Sequence, residues 1–278
     1  MPDVVGIPLL LKAALPKVRP GGDLPDLRLE RHDVLIDPDH VAAYADLCGF
    51  PRKDTVPLTY PHLLAFGLHL RIMADAFFPF PAIGTVHLEN SFTQHRPIAP
   101  TERVQVTAHP DGLRPHAKGR VFDLVTQVHA RGELVWEETS TFLRRGHGSE
   151  GAPTGPTFPE APPTGTEWRL RSDLGRRYAA VSGDRNPIHL YPLTAKAFGF
   201  PRQIAHGMWS LARCVGALEN RLPRAVTVAA AFKRPILLPG TVAFGSRRAP
   251  EAGPGAYAFS LSSPSNGAPH LAGAATPA

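Results

Sequence analysis

Residues 178–189 read Tyr-Ala-Ala-Val-Ser-Gly-Asp-Arg-Asn-Pro-Ile-His. Tyr178 to Ser182 suit a short helix, and Gly183 then lets the backbone adopt a conformation that a side chain would forbid. Pro187 pushes Asn186 toward an extended shape and stops any helix from running through. Asp184 and His189 therefore sit on a loop just after a helix, not stacked on a helical face. A carboxylate and a neutral imidazole that converge on one water can exchange protons with it near neutral pH. The competing reading is an Asx-type turn in which Asp184 caps a backbone amide and His189 is merely packed.

The same layout occurs earlier in the chain. Tyr44-Ala45-Asp46-Leu47-Cys48-Gly49 matches Tyr178–Gly183 at an offset of 134 (178 − 44). Arg96-Pro97-Ile98 is echoed by Arg234-Pro235-Ile236 at 138 (234 − 96), and each follows a Phe, Phe92 and Phe232, in an extended segment. A near-constant offset indicates two copies of one unit.

Each copy predicts a lead strand (28–36 and 167–170), a short helix, a longer apolar helix (61–76 and 207–220) and several strands. Asp37-Pro38 supplies a cap and a first-turn proline for the first short helix. Ser172 or Asp173 can cap the second. The later strands are expected over 85–92, 102–108, 118–130 and 134–144, then over 225–234, 241–246, 257–262 and 270–275. Arg131-Gly132 and Ser265-Asn266-Gly267 mark hairpin turns. A short helix over 193–198, ended by Gly199, is extra to the second copy. The stretch 146–165, rich in Pro and Gly and without periodicity, reads as a linker. The first twenty-odd residues read as irregular. Periodicity alone places the chain in the α+β class.

The pattern aromatic, small apolar run, Ser-Gly-Asp-x-Asn-Pro-apolar-His resembles the signature of the (R)-specific enoyl-CoA hydratases and 3-hydroxyacyl-thioester dehydratases, the MaoC-like family, with no departure at its key positions. The resemblance implies a hot-dog fold, an antiparallel sheet wrapped round a long helix, and two copies imply a double hot dog. Residues 1–145 would be an N-terminal unit without the catalytic pair, because Phe50 stands where the acid would be. Residues 166–278 would carry the site. By the same resemblance Asp184 and His189 are catalytic, and Gly207 of Ala205-His206-Gly207-Met208 donates its backbone N–H to a thioester carbonyl from a helix N-terminus. Asn186 fixes the turn or the water. His206 is expected to pack or cap at the helix entry. Lys233 and Arg234 would lie near the pantetheine and phosphate end of the ligand, while Arg185 would either hold a phosphate or face solvent.

Composition narrows the alternatives. The chain has 278 residues, 43% of them hydrophobic, with a formal net charge of +6. Its basic residues are isolated pairs, which fits attraction for a polyanionic small molecule or an acidic carrier better than nucleic acid. Thirteen histidines invite a metal, yet His62 and His69 are seven apart and no metal-type cluster joins them. There is no Gly-x-Ser-x-Gly elbow and no Gly-rich phosphate loop. Cys48 and Cys214 lie far apart among apolar neighbours, which suits a reducing cytoplasm. No apolar run is long enough to cross a membrane, and the patch over 7–11 lacks the flanks of a signal peptide.

The expected function is reversible hydration of trans-2-enoyl to (R)-3-hydroxyacyl thioesters, without metal or redox cofactor. Coenzyme A and an acyl carrier protein both stay open as carriers, and a homodimer stays open as the assembly. A non-catalytic acyl-thioester binding subunit and a hot-dog thioesterase are the rivals. The first copy, whose long helix carries Leu63, Leu64, Phe66, Leu68, Leu70, Ile72 and Met73, is expected to form the acyl-chain side of the site.

Overall fold

The structure is a computed structural model that describes residues 12–13, 22–82 and 84–278. The expectations for 7–11 and for most of the first twenty residues lie outside the described residues. Strand β1 (Leu29–Leu35) is followed by helices α1 (Pro38–Cys48) and α2 (Pro61–Ala74), then by strands β2 (Thr85–Gln94), β3 (Arg103–His116), β4 (Gly119–Ala130) and β5 (Glu133–Arg145). The second copy runs β6 (Pro163–Leu170), α3 (Leu174–Ser182), a 3-10 turn (Pro187–His189), α4 (Pro192–Ala197), α5 (Gly207–Leu218), β7 (Val226–Phe232), β8 (Gly240–Arg248), β9 (Tyr257–Ser262) and β10 (Pro269–Pro277).

All strand pairs in the ten-stranded sheet are antiparallel, in the order β1-β3-β4-β5-β2-β7-β10-β9-β8-β6. Read from either end the order is the same: lead strand, third, fourth, fifth, second. The two copies therefore meet at β2 and β7, which pair from Glu89↔Ala231 to Gln94↔Val226. Equivalent backbone bonds confirm the duplication. Val56 N–H donates to Ile98 O (2.8 Å) ahead of α2, and Ala205 N–H donates to Ile236 O (2.9 Å) ahead of α5.

One hydrophobic core runs through both copies. Tyr44 and Tyr178, the aromatic residues that head the two echoes, are both buried, with ring centroids 6.4 Å apart. Trp136, Phe92 and Phe122 are almost wholly enclosed. Each such side chain contributes about 1.5–3 kcal/mol by leaving water. The apolar residues of α2 go into this core: Leu63, Leu64, Leu68, Leu70, Ile72 and Met73 are all buried.

Three local expectations need correction. β3 runs eight residues past Ala108, through Pro110 and Pro115, with a bulge between Asp111 and Arg114. Pairing with β1 ends at Leu29↔Ala108, so beyond it β3 is an edge, where proline costs no ladder bond. β6 begins at Pro163, inside the stretch expected as linker, because it too is an edge strand. Asp37 caps α1 as expected, accepting from the Asp39 and His40 amides. Asp173 makes no such cap on α3: its carboxylate accepts from Arg171 at 3.0 and 3.1 Å instead.

Candidate active site

α3 ends at Gly183, whose φ of +77° belongs to the left-handed region that glycine enters at low cost. The next residues fold back on themselves. Asp184 N–H donates to Ser182 Oγ (3.1 Å), and Asn186 N–H donates to Asp184 Oδ1 (3.0 Å). Asn186 Oδ1 caps the 3-10 turn, accepting from Ile188 N–H (3.4 Å), so its side chain holds the turn. The turn delivers His189 into a buried position, where its Nδ1 donates to Ile204 O (2.8 Å). A carbonyl only accepts, so Nδ1 carries the proton and Nε2 keeps a lone pair in the neutral ring. Gly175, in the first turn of α3, lies against this backbone. A Cβ there would sit 1.9 Å from His189 O.

His206 stands at the N-cap position of α5, but its side chain caps nothing. Its ring stacks on His189 with centroids 3.7 Å apart, and lies 4.8 Å from Tyr178. His206 Nε2 donates to Asp184 O (3.0 Å) and is 3.7 Å from Asp184 Oδ2, while Nδ1 is buried without a partner. The expectation of packing holds for the ring; that of capping does not. One ligand atom from each of Asp184, His189 and His206 lies within 4.8 Å of the other two, so these are the residues of the site that could hold a metal ion.

Burial pushes the His206 imidazole down to about 3 and holds His189 below its ordinary value. Burial alone would raise the Asp184 carboxyl, but the facing imidazoles and the Asn186 amide more than offset that and hold it below the usual carboxylate range. At neutral pH the site therefore offers a carboxylate and unprotonated imidazoles, the forms that can take a proton.

Gly207 is the first residue of α5, next to His206, and its backbone faces the Phe232 ring, to which a Cβ would come within 3.2–3.3 Å. The structure thus gathers Asp184, Asn186, His189 and Gly207. Lys233 and Arg234 stand exposed just past β7, and Arg185 is exposed on the turn. Cys48 and Cys214 are buried and unbridged, and burial pushes the Cys48 thiol up to about 12.

Three further residues shape the site. His206 could have been suspected, since it directly precedes Gly207. Gly175 carries no motif. His40, from the first copy, is invisible locally because its partner is 141 residues away: its Nε2 donates to Val181 O (2.8 Å) and its Nδ1 accepts from Tyr60 O–H (2.8 Å). Burial lowers its pKa, which suits this neutral tautomer.

A family profile described as a MaoC like domain matches residues 156–246. The Mycobacterium tuberculosis protein 3-hydroxyacyl-thioester dehydratase X is 40% identical over 272 residues, covering 96% of both chains. The crystal structure of HtdX from M. tuberculosis superimposes with a TM-score of 0.80 at 37% identity, over 91% of this chain and all of that one. Another M. tuberculosis protein, described as having a double hotdog fold, matches with a TM-score of 0.57 at 11% identity, over 90% of this chain and 95% of that one, a likeness of fold alone. The repeated strand order, the long helix in each copy and this near full-length similarity place the chain in the MaoC-like hydratase and dehydratase family, with a double hot-dog fold.

Proposed function

We propose that the protein interconverts trans-2-enoyl and (R)-3-hydroxyacyl thioesters, with Asp184 and His189 acting on one water. The observation that carries this reading is the pairing of an Asp184 carboxylate with the free Nε2 of a His189 whose other nitrogen is committed to Ile204 O. In hydration, His189 Nε2 takes a proton from the water while Asp184 orients it and offsets the imidazolium charge. The hydroxyl adds to C3, the C2=C3 electrons move toward the thioester, and the Gly207 N–H meets the oxygen that becomes negative. The proton on His189 then passes to C2. Dehydration runs the same steps in reverse, and His206 Nδ1 is a further acceptor for the water.

This chemistry needs no redox step and no Lewis acid, so chelators should leave turnover unchanged. The exposed Lys233, Arg234 and Arg185 suit the phosphates of either a coenzyme A or an acyl-carrier thioester. The first copy carries no second site, since Phe50 replaces the acid. The test is loss of enoyl-thioester absorbance when the protein is mixed with CoA thioesters of several chain lengths. Turnover without thiol release supports a hydro-lyase, whereas free thiol would make it a thioesterase. Binding without either reaction would make it a carrier subunit.

A further inference from the structure

The second copy carries a segment that the first lacks. Gly49 and Pro61, the first residue of α2, are 12 apart (61 − 49), whereas Gly183 and Gly207, the first residue of α5, are 24 apart (207 − 183). The added length holds α4, and it is tied to the catalytic turn. Thr194 Oγ1 donates to Pro187 O (2.7 Å), and Ile204 N–H donates to Ile188 O (3.1 Å). Arg176 of α3 donates to Leu190 O (3.0 Å), and its guanidinium lies 5.0 Å from the centre of the Tyr191 ring. α4 turns Ala195 inward, where it is fully buried.

The outer side chains of this segment are wet. Six large hydrophobic side chains stand exposed among the described residues, and three of them, Tyr191, Leu193 and Phe198, fall within eight residues here. Leu193 is 80% exposed. Single exposed apolar residues are ordinary, but a cluster ringed by polar groups marks a surface that a partner covers.

The ring is basic. Residues 174–207 hold Arg176, Arg177, Arg185, Lys196 and Arg202 against one acid, Asp184, which makes +4 (5 − 1) of the chain's +6 (30 − 24). All but Arg176 are exposed. None of the five pairs with a carboxylate among the described residues. Other surface arginines are matched by their own neighbours: Arg52 by Asp46, Arg96 by Glu102, Arg103 by Asp33 and Arg114 by Asp123. Unmatched charge of one sign attracts a partner of the other.

The chemistry of the surface selects among partners. Coenzyme A neutralises a few cations with its phosphates and leaves Leu193 and Phe198 in water. A second copy of the chain, docked about a two-fold axis, would set this basic ring against itself. An acidic protein with a small apolar spot covers both features. We infer that α4 and its basic ring are the docking surface for an acidic acyl carrier protein, so that the enzyme takes its acyl thioester from a protein in preference to coenzyme A. The inference rests on the thioester reading above and names the carrier.

The test compares a six-carbon trans-2-enoyl group on coenzyme A with the same group on a purified acyl carrier protein. The carrier form should be preferred by about ten-fold or more in kcat/KM at low salt, and the preference should shrink as salt rises. Arg177→Glu with Lys196→Glu, and separately Leu193→Asp, should each lower kcat/KM for the carrier form about ten-fold. These side chains are on the surface, so turnover of the coenzyme A form should stay within about two-fold. Surface plasmon resonance with the saturated hexanoyl carrier reads the same contact without chemistry. Binding that the substitutions abolish, in a protein that turns nothing over, would sink the hydratase reading and keep this one. Equal handling of the two forms would overturn the inference, as would a carrier preference that survives every substitution. If the substitutions instead abolish binding to vesicles of anionic phospholipid, or a dimer seen in sedimentation, and leave carrier binding untouched, the surface belongs to a membrane or a second copy and the inference falls.

Discussion

The two helix ends at Gly49 and Gly183 share one geometry and hold different contents. Both glycines adopt the left-handed conformation, φ +72° and +77°, and both donate back into the preceding helix, to Ala45 O and Ala179 O. After Gly49 comes Phe50, buried and stacked on Tyr44, then Pro51. After Gly183 comes Asp184, its side chain 26% exposed, and the turn that delivers His189. The fold needs the glycine, and the chemistry needs only the residues after it. The long helices differ in the same way. α2 opens with Pro61, which has no N–H, whereas α5 opens with Gly207. Each copy also sets a carboxylate against buried histidine. Glu138 is saturated by His62 and Asn90, while Asp184 keeps a side-chain oxygen 3.7 Å from His206 with no closer partner. A saturated carboxylate stabilises structure; an unsaturated one can react.

The contrast breaks most sharply at the acid and the imidazole. Asp184→Asn and His189→Ala should each lower kcat by about 10²–10⁴-fold. The double variant should be little worse than either, since both act on one water. Phe50→Asp should not create a second centre, and titration with a substrate analogue should still give one site per chain. Near wild-type turnover by either single variant would end the mechanism.

At the helix starts, Gly207→Pro imports the first copy's residue. Proline suits a first helical position but removes the N–H, so kcat should fall on the order of 10²–10³-fold. Gly207→Ala meets the same Phe232 ring yet keeps the donor, and should fall far less. Equal losses would mean that crowding, not the donor, matters.

Gly175 has Val41 as its counterpart at the same 134-residue offset, buried where no catalytic loop returns. Gly175→Ala must shift the His189 backbone by an ångström or more, enough to cost about 10²-fold in kcat. Circular dichroism should show the fold retained. Unchanged turnover would mean that the His189 position is not critical.

His40 is the first copy's direct contribution to the turn. His40→Phe removes the donor to Val181 O and should lower kcat roughly ten-fold with KM nearly constant. His40→Gln, which can still donate, should recover most of it. A rise in KM alone would assign His40 to ligand binding instead.

The two copies can also be compared through stability against pH. His69 is pushed down to about 4 and His87 to about 3 in the first copy, and His206 to about 3 in the second. All three stay neutral in the folded protein while the unfolded chain protonates below about pH 6.5. Their contribution is therefore fully present above that pH and is lost as pH falls toward 4, by up to about 1.4 kcal/mol per pH unit for each histidine. Thermal melts from pH 8 to 4.5 should show this, and His69→Leu should flatten the slope without moving the pH profile of kcat. A slope unaffected by His69→Leu would place the acid sensitivity elsewhere.

Local chemistry made much of this legible. Asp37-Pro38, Gly183, Asn186-Pro187 and Arg131-Gly132 each act on backbone within a few residues of themselves, and each lies where its residue type predicts. The duplication was legible because Tyr44 and Tyr178 fill equivalent places in one core. The rest depends on partners far along the chain. The prolines of β3 were tolerated because its pairing with β1 stops at Leu29↔Ala108, and His40 reaches a carbonyl 141 residues away. The His62–Glu138–Asn90 network joins three segments, none of which advertises it.

The seam between β2 and β7 bears on how such a protein can change. Two identical subunits joined edge to edge are bound by symmetry, so every substitution appears twice and every gain on one side is imposed on the other. Here the strands that meet, Asn90-Ser91-Phe92 and Val228-Ala229-Ala230, belong to one polypeptide. A single codon can alter one side alone. One copy is thereby free to specialise in reaction and the other in recognition, a division of labour that a symmetric dimer of one gene product cannot inherit.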